Sequence, residues 1–218
     1  MSASSGRKEC TVLALIALMS EPIRPASTVI LWRLGPTEHE ILMGQRGAGA
    51  VFMPSKYVFP GGAVDPEDHG GDLASGWLSQ QCASRLIKDS TVPAAALVSA
   101  ARREVHEETG LTLGSGSEAT LHFVFRAITP PGRSRRFDAR FFLAPATACA
   151  GDDTGFADAS GELSHLHWIA LAEARALDLP FITEVVLAEV TALLSGTLQN
   201  GVPFFDNSGP VPTFRRLI

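Results

Sequence analysis

The sequence predicts an α/β protein, because segments typical of strands lie on both sides of a long helical segment. Residues 27–34 are apolar and rich in β-branched side chains, which is typical of a buried strand. Residues 94–109 have helical periodicity and are followed by Gly110, a residue well suited to end a helix. An amphipathic pattern at 182–195 predicts a further helix near the carboxyl end.

Shorter elements follow from local composition. Apolar or β-branched runs predict strands at 41–43, 52–59, 121–128, 137–144 and 163–169. The segment 66–94 differs in composition: it begins with Asp, His, Gly and Ser, continues as a predicted helix at 73–87, and stops near Pro93. The tail from Gly201 is rich in Pro, Phe and Gly, and we expect it to be irregular.

The composition predicts one globular domain. Of the 218 residues 45% are hydrophobic, which excludes wholesale disorder and suits a single domain over 1–218, with 1–24 as an amino-terminal extension. The formal charge of −5 offers no broad basic surface for a nucleic-acid polymer, although it leaves room for a basic pocket that binds a small polyanion. Three widely spaced cysteines argue against disulfides or a zinc site, which favours a reducing, cytoplasmic location.

The amino-terminal segment allows two interpretations. Arg7 and Lys8 precede an apolar run at 11–19, which imitates a short signal peptide. No small-x-small cleavage site follows, and the run falls far short of the roughly 20 residues that cross a membrane. We therefore expect a strand or helical turn packed on the domain, and no association with a membrane.

The helix at 94–109 carries three acidic residues with helical spacing. Glu104, Glu107 and Glu108 lie three and four positions apart, so they share one helix face and repel one another. A divalent cation would offset that repulsion, and oxygen ligands without Cys or His favour Mg²⁺ or Mn²⁺ over zinc. The alternative is a solvated acidic face paired with Arg102 and Arg103.

The segment Arg103-Glu104-Val105-His106-Glu107-Glu108-Thr109-Gly110-Leu111, with Gly62 upstream, resembles the Nudix box G-x5-E-x7-R-E-U-x-E-E-x-G-U, where U is aliphatic. The second half matches at every specified position. The first half departs from the pattern, because Asp68 stands at the glutamate position and a 27-residue insertion separates it from Arg103. That insertion coincides with the compositionally distinct segment 66–94. The two halves of the box can come together only if this segment loops out.

The resemblance, which covers Ser27 to Ile182, implies the Nudix fold, an α/β/α sandwich around a mixed sheet, here with a helical insertion. It also implies a Mg²⁺- or Mn²⁺-dependent diphosphatase, in which water attacks phosphorus in a nucleoside diphosphate linked to another moiety. The partner is then a small-molecule nucleoside diphosphate derivative. Homodimers are common in this family, and the sequence does not decide whether this chain forms one.

The same resemblance implies roles for individual residues. Glu104, Glu107 and Glu108 match the metal-binding glutamates, the Gly61 carbonyl matches a backbone ligand, and Arg103 matches the arginine that orients the glutamates. A further carboxylate outside the box supplies either another ligand or the base in many members. The candidates for it here are Glu162 and the loop residues Asp152, Asp153 and Asp158.

The predicted substrate is CoA or acyl-CoA. The stretch from Phe59 to Asp68 resembles the form found in CoA diphosphatases of this superfamily, and the interrupted box resembles the acyl-CoA diphosphatase branch. Arg46 lies where CoA-directed members carry an arginine. Arg140, flanked by apolar residues in a predicted strand, is the best phosphate-binding candidate among the arginines at 133–140.

Two alternatives stay open at this point. The first is a diphosphatase for other substrates, such as NADH, ADP-ribose or dinucleoside polyphosphates. The second is a Nudix-fold binding or regulatory module without catalysis. The intact glutamates and Arg103 argue against the second alternative, whereas Asp68 and the insertion leave room for it.

Overall fold

The computed structural model describes residues 21–71, 76–114 and 120–218, which form a mixed sheet with helices on both faces. The predicted α/β sandwich is therefore confirmed. The apolar run at 11–19 lies outside the described residues. Within the part of the chain that is described, no helix is long and apolar enough to cross a lipid bilayer.

Groups of strands and pairs of helices follow one another along the chain. The strands are β1 (Ile23–Leu34), β2 (His39–Arg46), β3 (Tyr57–Val58), β4 (Gly61–Ala63), β5 (Thr112–Leu113), β6 (His122–Ile128), β7 (Arg136–Pro145), β8 (Cys149–Ala150), β9 (Leu163–Ala170), β10 (Val202–Asp206) and β11 (Thr213–Leu217). The helices are α1 (Gln80–Leu86), α2 (Ala94–Thr109), α3 (Leu171–Ala174) and α4 (Phe181–Leu194). Single 3₁₀ turns cover Pro66–Gly70 and Ala146–Ala148.

The main sheet has the strand order β11-β10-β6-β7-β1-β2-β3, with β4 also paired to β1 and β9 to β2. The pairs β1–β7 and β10–β6 are parallel, and the other pairs of this sheet are antiparallel. A separate pair, β5 and β8, lies beside the main sheet. The mixed sheet agrees with the predicted fold.

Alternating side chains on the strands build a core on each face of the sheet. On one face, Val29 and Phe142 pack in a cluster with Leu97 of α2 and Leu86 of the insertion. The other face packs against α4 and includes a separate set of buried side chains, among them Ile30, Phe141, Leu187 and Val190. The sheet therefore separates the acidic helix α2 from α4.

The helix that carries the acidic residues forms as predicted, at Ala94–Thr109. Pro93 occupies the position before its first turn, and Gly110 follows it with φ 75°, a left-handed conformation that glycine adopts without strain. Apolar residues of α2, including Ala101 and Val105, are fully buried against the sheet. The opposite side of the helix is thereby turned toward β4, which contains Gly61 and Gly62.

Three predicted elements need correction. The strand predicted at 52–59 is formed only at Tyr57–Val58. The helix predicted at 73–87 begins at Gln80, because the Ser79 side chain accepts a hydrogen bond from the Cys82 backbone and caps the helix there; residues 72–75 lie outside the description. The tail from Gly201 is not irregular, since it forms β10 and β11.

Candidate active site

Glu108 lies at the centre of the site, under the loop that precedes β4. Its side chain is 2% exposed, and its Oε2 accepts a 2.8 Å hydrogen bond from the Gly61 backbone N–H. Glu104 lies beside it against Gly62, where an added Cβ would be only 2.2 Å from the Glu104 Oε1. A side chain at position 62 would therefore displace the Glu104 carboxylate from its place beside Glu108.

Arg103 connects the two halves of the box. Its Nη1 donates to Glu104 at 2.8 Å and to Glu107 at 3.1 Å. Its Nη2 donates to Asp68 at 2.9 Å and to the Ala63 carbonyl at 2.9 Å. The insertion thus loops out, as box closure required, and Asp68 reaches Arg103 from the first half of the box.

The carboxylates at the centre of the site are poorly solvated. Burial raises the pKa of Glu108 to about 8, and the charges of Glu104 and Glu162 add to this rise, while the hydrogen bond from Gly61 opposes it. Burial also raises the pKa of Glu104, although the neighbouring Arg103 guanidinium opposes the shift. Crowded, desolvated carboxylates of this kind are stabilised by a bound cation.

The donor set suits a hard divalent cation, but the side chains do not surround a common point as placed. Within the described ranges, no three Asp, Glu, His or Cys side chains form a cluster that could hold a metal ion. Arg103 binds Glu104 and Glu107 through the same nitrogen, and the Glu107 side chain is half exposed. Arg103 occupies one oxygen of each carboxylate, the Glu104 Oε1 and the Glu107 Oε2, and leaves the second oxygen of each for a cation.

Among the candidates outside the box, Glu162 is the acid that reaches the site. Its Oε1 accepts a hydrogen bond from the Arg46 Nη2 at 3.3 Å, and both residues line the same cavity as Glu104. The Nε of Arg46 is buried and has no hydrogen-bond partner among the described residues. Arg46 therefore has unused donor capacity next to the carboxylates.

The loop aspartates lie elsewhere. Asp152 accepts hydrogen bonds from Thr154 and Gly155 within its own turn. Asp153 pairs with Arg33 at 3.4 Å, and Asp158 packs against Gly110 behind the helix end. None of the three lines the cavity that Glu104 and Glu162 share.

The structure does not bring Arg140 to the site. Its guanidinium is 1% exposed, pairs with Asp138 at 2.9 Å and donates to Ser90 at 3.0 Å. Side chains alternate along β7, so Arg140 points toward the insertion while its neighbours Ala139 and Phe141 line the cavity. We correct the predicted substrate-binding role of Arg140 to a structural one.

Arg126, which the sequence did not single out, shares this buried ion pair. It donates to both oxygens of Asp138 at 2.8 Å and to the carbonyls of Lys88 and Asp89 at 3.1 and 3.0 Å. The network therefore ties the end of the insertion to the sheet. At the other side of the insertion, Arg102 of α2 stacks over Trp77, 4.7 Å from the ring centroid.

The carboxylates open into one large cavity with a volume of about 1390 Å³. Basic side chains from β1, β2 and two loops line it, namely Arg24, Arg46, Lys56, Arg133 and Arg135. Local pattern gave no signal for Arg24 and Lys56, because the fold alone brings their segments to the site. The cavity thus combines acidic, basic and apolar walls.

A sequence model of the NUDIX domain matches residues 23–190, more than three quarters of the chain. The chain belongs to the Nudix family. The match confirms the predicted Nudix hydrolase, and such hydrolases generally use divalent cations.

Solved Nudix structures share this fold. A NUDIX hydrolase from Alicyclobacillus acidocaldarius is 22% identical, with a TM-score of 0.53 and coverage of 81% of this chain and 97% of that chain. A C. elegans Ap4A hydrolase in a binary complex is 18% identical, with a TM-score of 0.51 and coverage of 80% and 99%. The Nudix domain of Shewanella oneidensis NrtR, complexed with ADP ribose, is 13% identical, with a TM-score of 0.50 and coverage of 80% and 90%. At these identities the likeness concerns the fold alone.

A shorter similarity concerns sequence. Over 45 residues the chain is 44% identical to acyl-coenzyme A diphosphatase NUDT19 from Gallus gallus. The match covers 21% of this chain and only 11% of that protein.

Proposed function

We propose that this Nudix hydrolase cleaves the diphosphate bond of CoA or acyl-CoA, with Mg²⁺ or Mn²⁺ as cofactor. The observation that supports this proposal best is the shared cavity, which Glu104, Glu107 and Glu162 line together with Arg46 and the turn at Gly61. Acidic groups for a cation and basic groups for phosphates therefore face the same space. This combination suits hydrolysis of a diphosphate.

Glu104, Glu107 and Glu108 would hold the cation, with Glu162 and the Gly61 carbonyl as further ligands. When bound, a divalent cation neutralises diphosphate charge and lowers the pKa of a coordinated water. Arg103 fixes Glu104 and Glu107 relative to each other through its Nη1, so it acts as a positioning residue. Glu162, at the edge of the cavity, serves either as a ligand or as the base that accepts a proton from the attacking water.

The basic side chains of the cavity would bind the substrate's phosphates. Arg46 lies beside Glu162 with an unused Nε donor, which suits the diphosphate next to the carboxylates. Arg133 and Arg135, on the loop between β6 and β7, suit the additional phosphate that a CoA-type nucleotide carries. The local similarity to an acyl-CoA diphosphatase and the stretch from Phe59 to Asp68 favour this substrate class over other diphosphates.

The test is a mass-spectrometric product screen with Mg²⁺ or Mn²⁺. The panel contains CoA, acetyl-CoA, NADH, ADP-ribose, dinucleoside polyphosphates and nucleoside triphosphates, with Glu107→Gln as the inactive control. Release of 3′,5′-ADP from the CoA compounds alone is the expected result. Cleavage of another compound instead would support the proposed diphosphatase reaction and contradict the proposed CoA substrate.

If none of these compounds is cleaved, the result would favour the non-catalytic alternative. In that case Mn²⁺ titration of the wild type and of Glu108→Gln shows whether the carboxylates bind a cation at all. Metal binding without turnover would indicate a binding or regulatory module, and the proposed reaction would be wrong.

A further inference from the structure

The cavity extends well beyond the carboxylates, along the sheet face that packs against α4. Its floor includes Ala26, Ala139, Ala127 and Phe205. Strand register places these residues in one row. Ala26 of β1 is paired with Ala63 of β4 on one side and with Ala139 of β7 on the other. The row continues from Ala139 to Ala127 of β6 and from there to Phe205 of β10. The row begins at β4. The first residue of that strand, Gly61, donates a backbone hydrogen bond to the Glu108 carboxylate.

The length of this floor follows from strand spacing. Four steps separate β4 from β10, and neighbouring strands lie about 4.8 Å apart, so the floor runs roughly 19 Å across the sheet. Alanine side chains leave the space above them open between the larger flanking groups. The cavity, at about 1390 Å³, exceeds the roughly 300–1,000 Å³ that is usual for a small-molecule site.

The walls at this end of the cavity are apolar. Phe137 and Phe141 of β7 lie on one side, and Leu179, Phe181 and Ile182 at the start of α4 lie on the other. Phe181 is 68% exposed, so its ring is accessible to a group bound in the cavity.

Two polar side chains near these walls already make hydrogen bonds inside the protein. The Asn207 side-chain amide donates to the Ile128 carbonyl, and the Thr129 hydroxyl accepts from the Phe137 backbone. The side chains of the floor itself are apolar, so few hydrogen-bond donors or acceptors face a nucleobase there. An aliphatic group fits this surface better than a base does.

We propose that this surface, the apolar trough formed by Ala26, Ala127, Ala139, Phe141, Ile182 and Phe205, binds an aliphatic acyl chain carried by the substrate. The inference rests on the proposed function, because the diphosphate must lie at the carboxylates and the pantetheine arm must lead from it into the trough for the acyl chain to bind there. It adds a specificity subsite that is separate from the groups that act on phosphorus. Longer chains bury more apolar area in it, and each buried methylene contributes up to about fourfold in binding.

The experiment compares kcat/KM for CoA, acetyl-CoA, octanoyl-CoA and dodecanoyl-CoA with Mg²⁺. We expect octanoyl-CoA to exceed acetyl-CoA by at least about tenfold. Ala139→Leu fills the floor and Ile182→Asn makes the wall polar without adding charge, so each should lower the octanoyl-to-acetyl ratio by about tenfold. Ala172→Leu, on the exposed side of α3, is the matched control and should leave the ratio unchanged.

The outcomes separate the trough from the reaction. Equal kcat/KM for all chain lengths would contradict acyl-chain binding in the trough without contradicting the hydrolysis of CoA. An equal loss for acetyl-CoA and octanoyl-CoA in Ala139→Leu would place the nucleotide in the trough and also overturn the proposal. If no CoA compound is cleaved, calorimetric binding of octanoyl-CoA and CoA to the same variants decides: a chain-length preference lost in Ala139→Leu supports the trough, and equal affinity rejects it.

Discussion

Asp68 and Arg103 lie 35 positions apart in the chain, yet the Asp68 carboxylate accepts a 2.9 Å hydrogen bond from the Arg103 guanidinium. Asp68 is 3% exposed, and its carboxylate also accepts a hydrogen bond from the Asp65 backbone N–H. Burial raises the pKa of Asp68, but the hydrogen bonds from Arg103 and Asp65 outweigh this effect and the net pKa is lowered. The pair therefore stays ionised and joins the two halves of the interrupted box.

Asp68→Asn should impair hydrolysis without unfolding the protein. Removing the charge weakens the anchor that fixes the Arg103 guanidinium, so Glu104 and Glu107 lose the orientation that Arg103 gives them. Substitutions of such supporting partners typically lower metal affinity or activity by about 10–100-fold. We expect a loss of that size in kcat/KM and in Mn²⁺ affinity. Asp152→Asn, which affects only its own turn, is the control; full activity in Asp68→Asn would contradict the positioning role.

Glu108→Gln should abolish hydrolysis with a native fold. Its Oε2 accepts from Gly61 in a buried position, and glutamine can retain that hydrogen bond through its carbonyl while losing the negative charge. We expect kcat to fall by at least about 10²-fold if a cation depends on this charge. Circular dichroism monitors the fold, and Glu189→Gln on α4 is the matched control. Retained turnover would remove Glu108 from the metal site.

The stability of the metal-free protein should depend on pH through Glu108. Its pKa is about 8 in the folded state against 4.5 for an ordinary glutamate, so the folded protein holds a proton that the unfolded chain has lost. The free energy of unfolding should therefore fall as pH rises from about 4.5 to about 8.

Thermal unfolding in EDTA between about pH 5 and pH 8.5 measures this dependence. The Tm of the wild type should decline more steeply than that of Glu108→Gln, and Mn²⁺ should reduce the decline. Parallel profiles for the two proteins would show that Glu108 is not the group responsible.

Asp138 should be far more important for stability than for catalysis. It is the acidic partner of both Arg126 and Arg140, which are 4% and 1% exposed as side chains. Asp138→Asn would leave two buried guanidinium groups without their counter-charge, and breaking a buried pair typically costs about 3–5 kcal/mol. Urea unfolding should show that loss. Asp178→Asn, at an exposed ion pair, should cost less than about 1 kcal/mol.

Kinetics on the same variant test the corrected role of Arg140. At a temperature where Asp138→Asn is folded, its KM should stay within about twofold of the wild type, since the network lies on the far side of the sheet from the cavity. A large rise in KM with unchanged stability would return Arg140 to the substrate site.

Features that depend on local pattern were predictable from the sequence. Helix α2 was predicted with its correct bounds, because its apolar face and Gly110 are encoded within a single element. The tail was not, because its prolines and glycines suggested irregular structure. In the structure Val202 and Phe204 alternate into the core as strand residues and Pro203 lies between them in β10, while Gly209, Pro210 and Pro212 lie between β10 and β11.

The face of a strand residue depends on register, which local sequence does not specify. Residue 140 was correctly placed in a strand, but whether it faces the cavity or the insertion depends on how β7 pairs with β1 and β6. The apolar trough has the same origin, because it exists only when four strand pairings align its residues. Pairing between strands that are distant in the sequence, rather than local composition, therefore determines both the orientation of residue 140 and the existence of the apolar trough.

Arg46 and Glu162 provide the last prediction, a double-mutant cycle. Arg46 donates to Glu162 at 3.3 Å, and it has been proposed above to bind phosphate as well. Arg46→Met should raise KM by about tenfold, because a charged hydrogen bond to substrate contributes roughly 1.5–3 kcal/mol, whereas Glu162→Gln should mainly lower kcat.

The double variant distinguishes direct binding from positioning. If Arg46 contacts the substrate itself, the two effects on kcat/KM multiply to within about twofold. If Arg46 acts only by holding Glu162, the double variant is no worse than Glu162→Gln alone. Arg215→Met, at an exposed pair with Asp89, controls for loss of positive charge and should leave KM unchanged. A non-multiplicative cycle would therefore reassign Arg46 from phosphate binding to the support of Glu162.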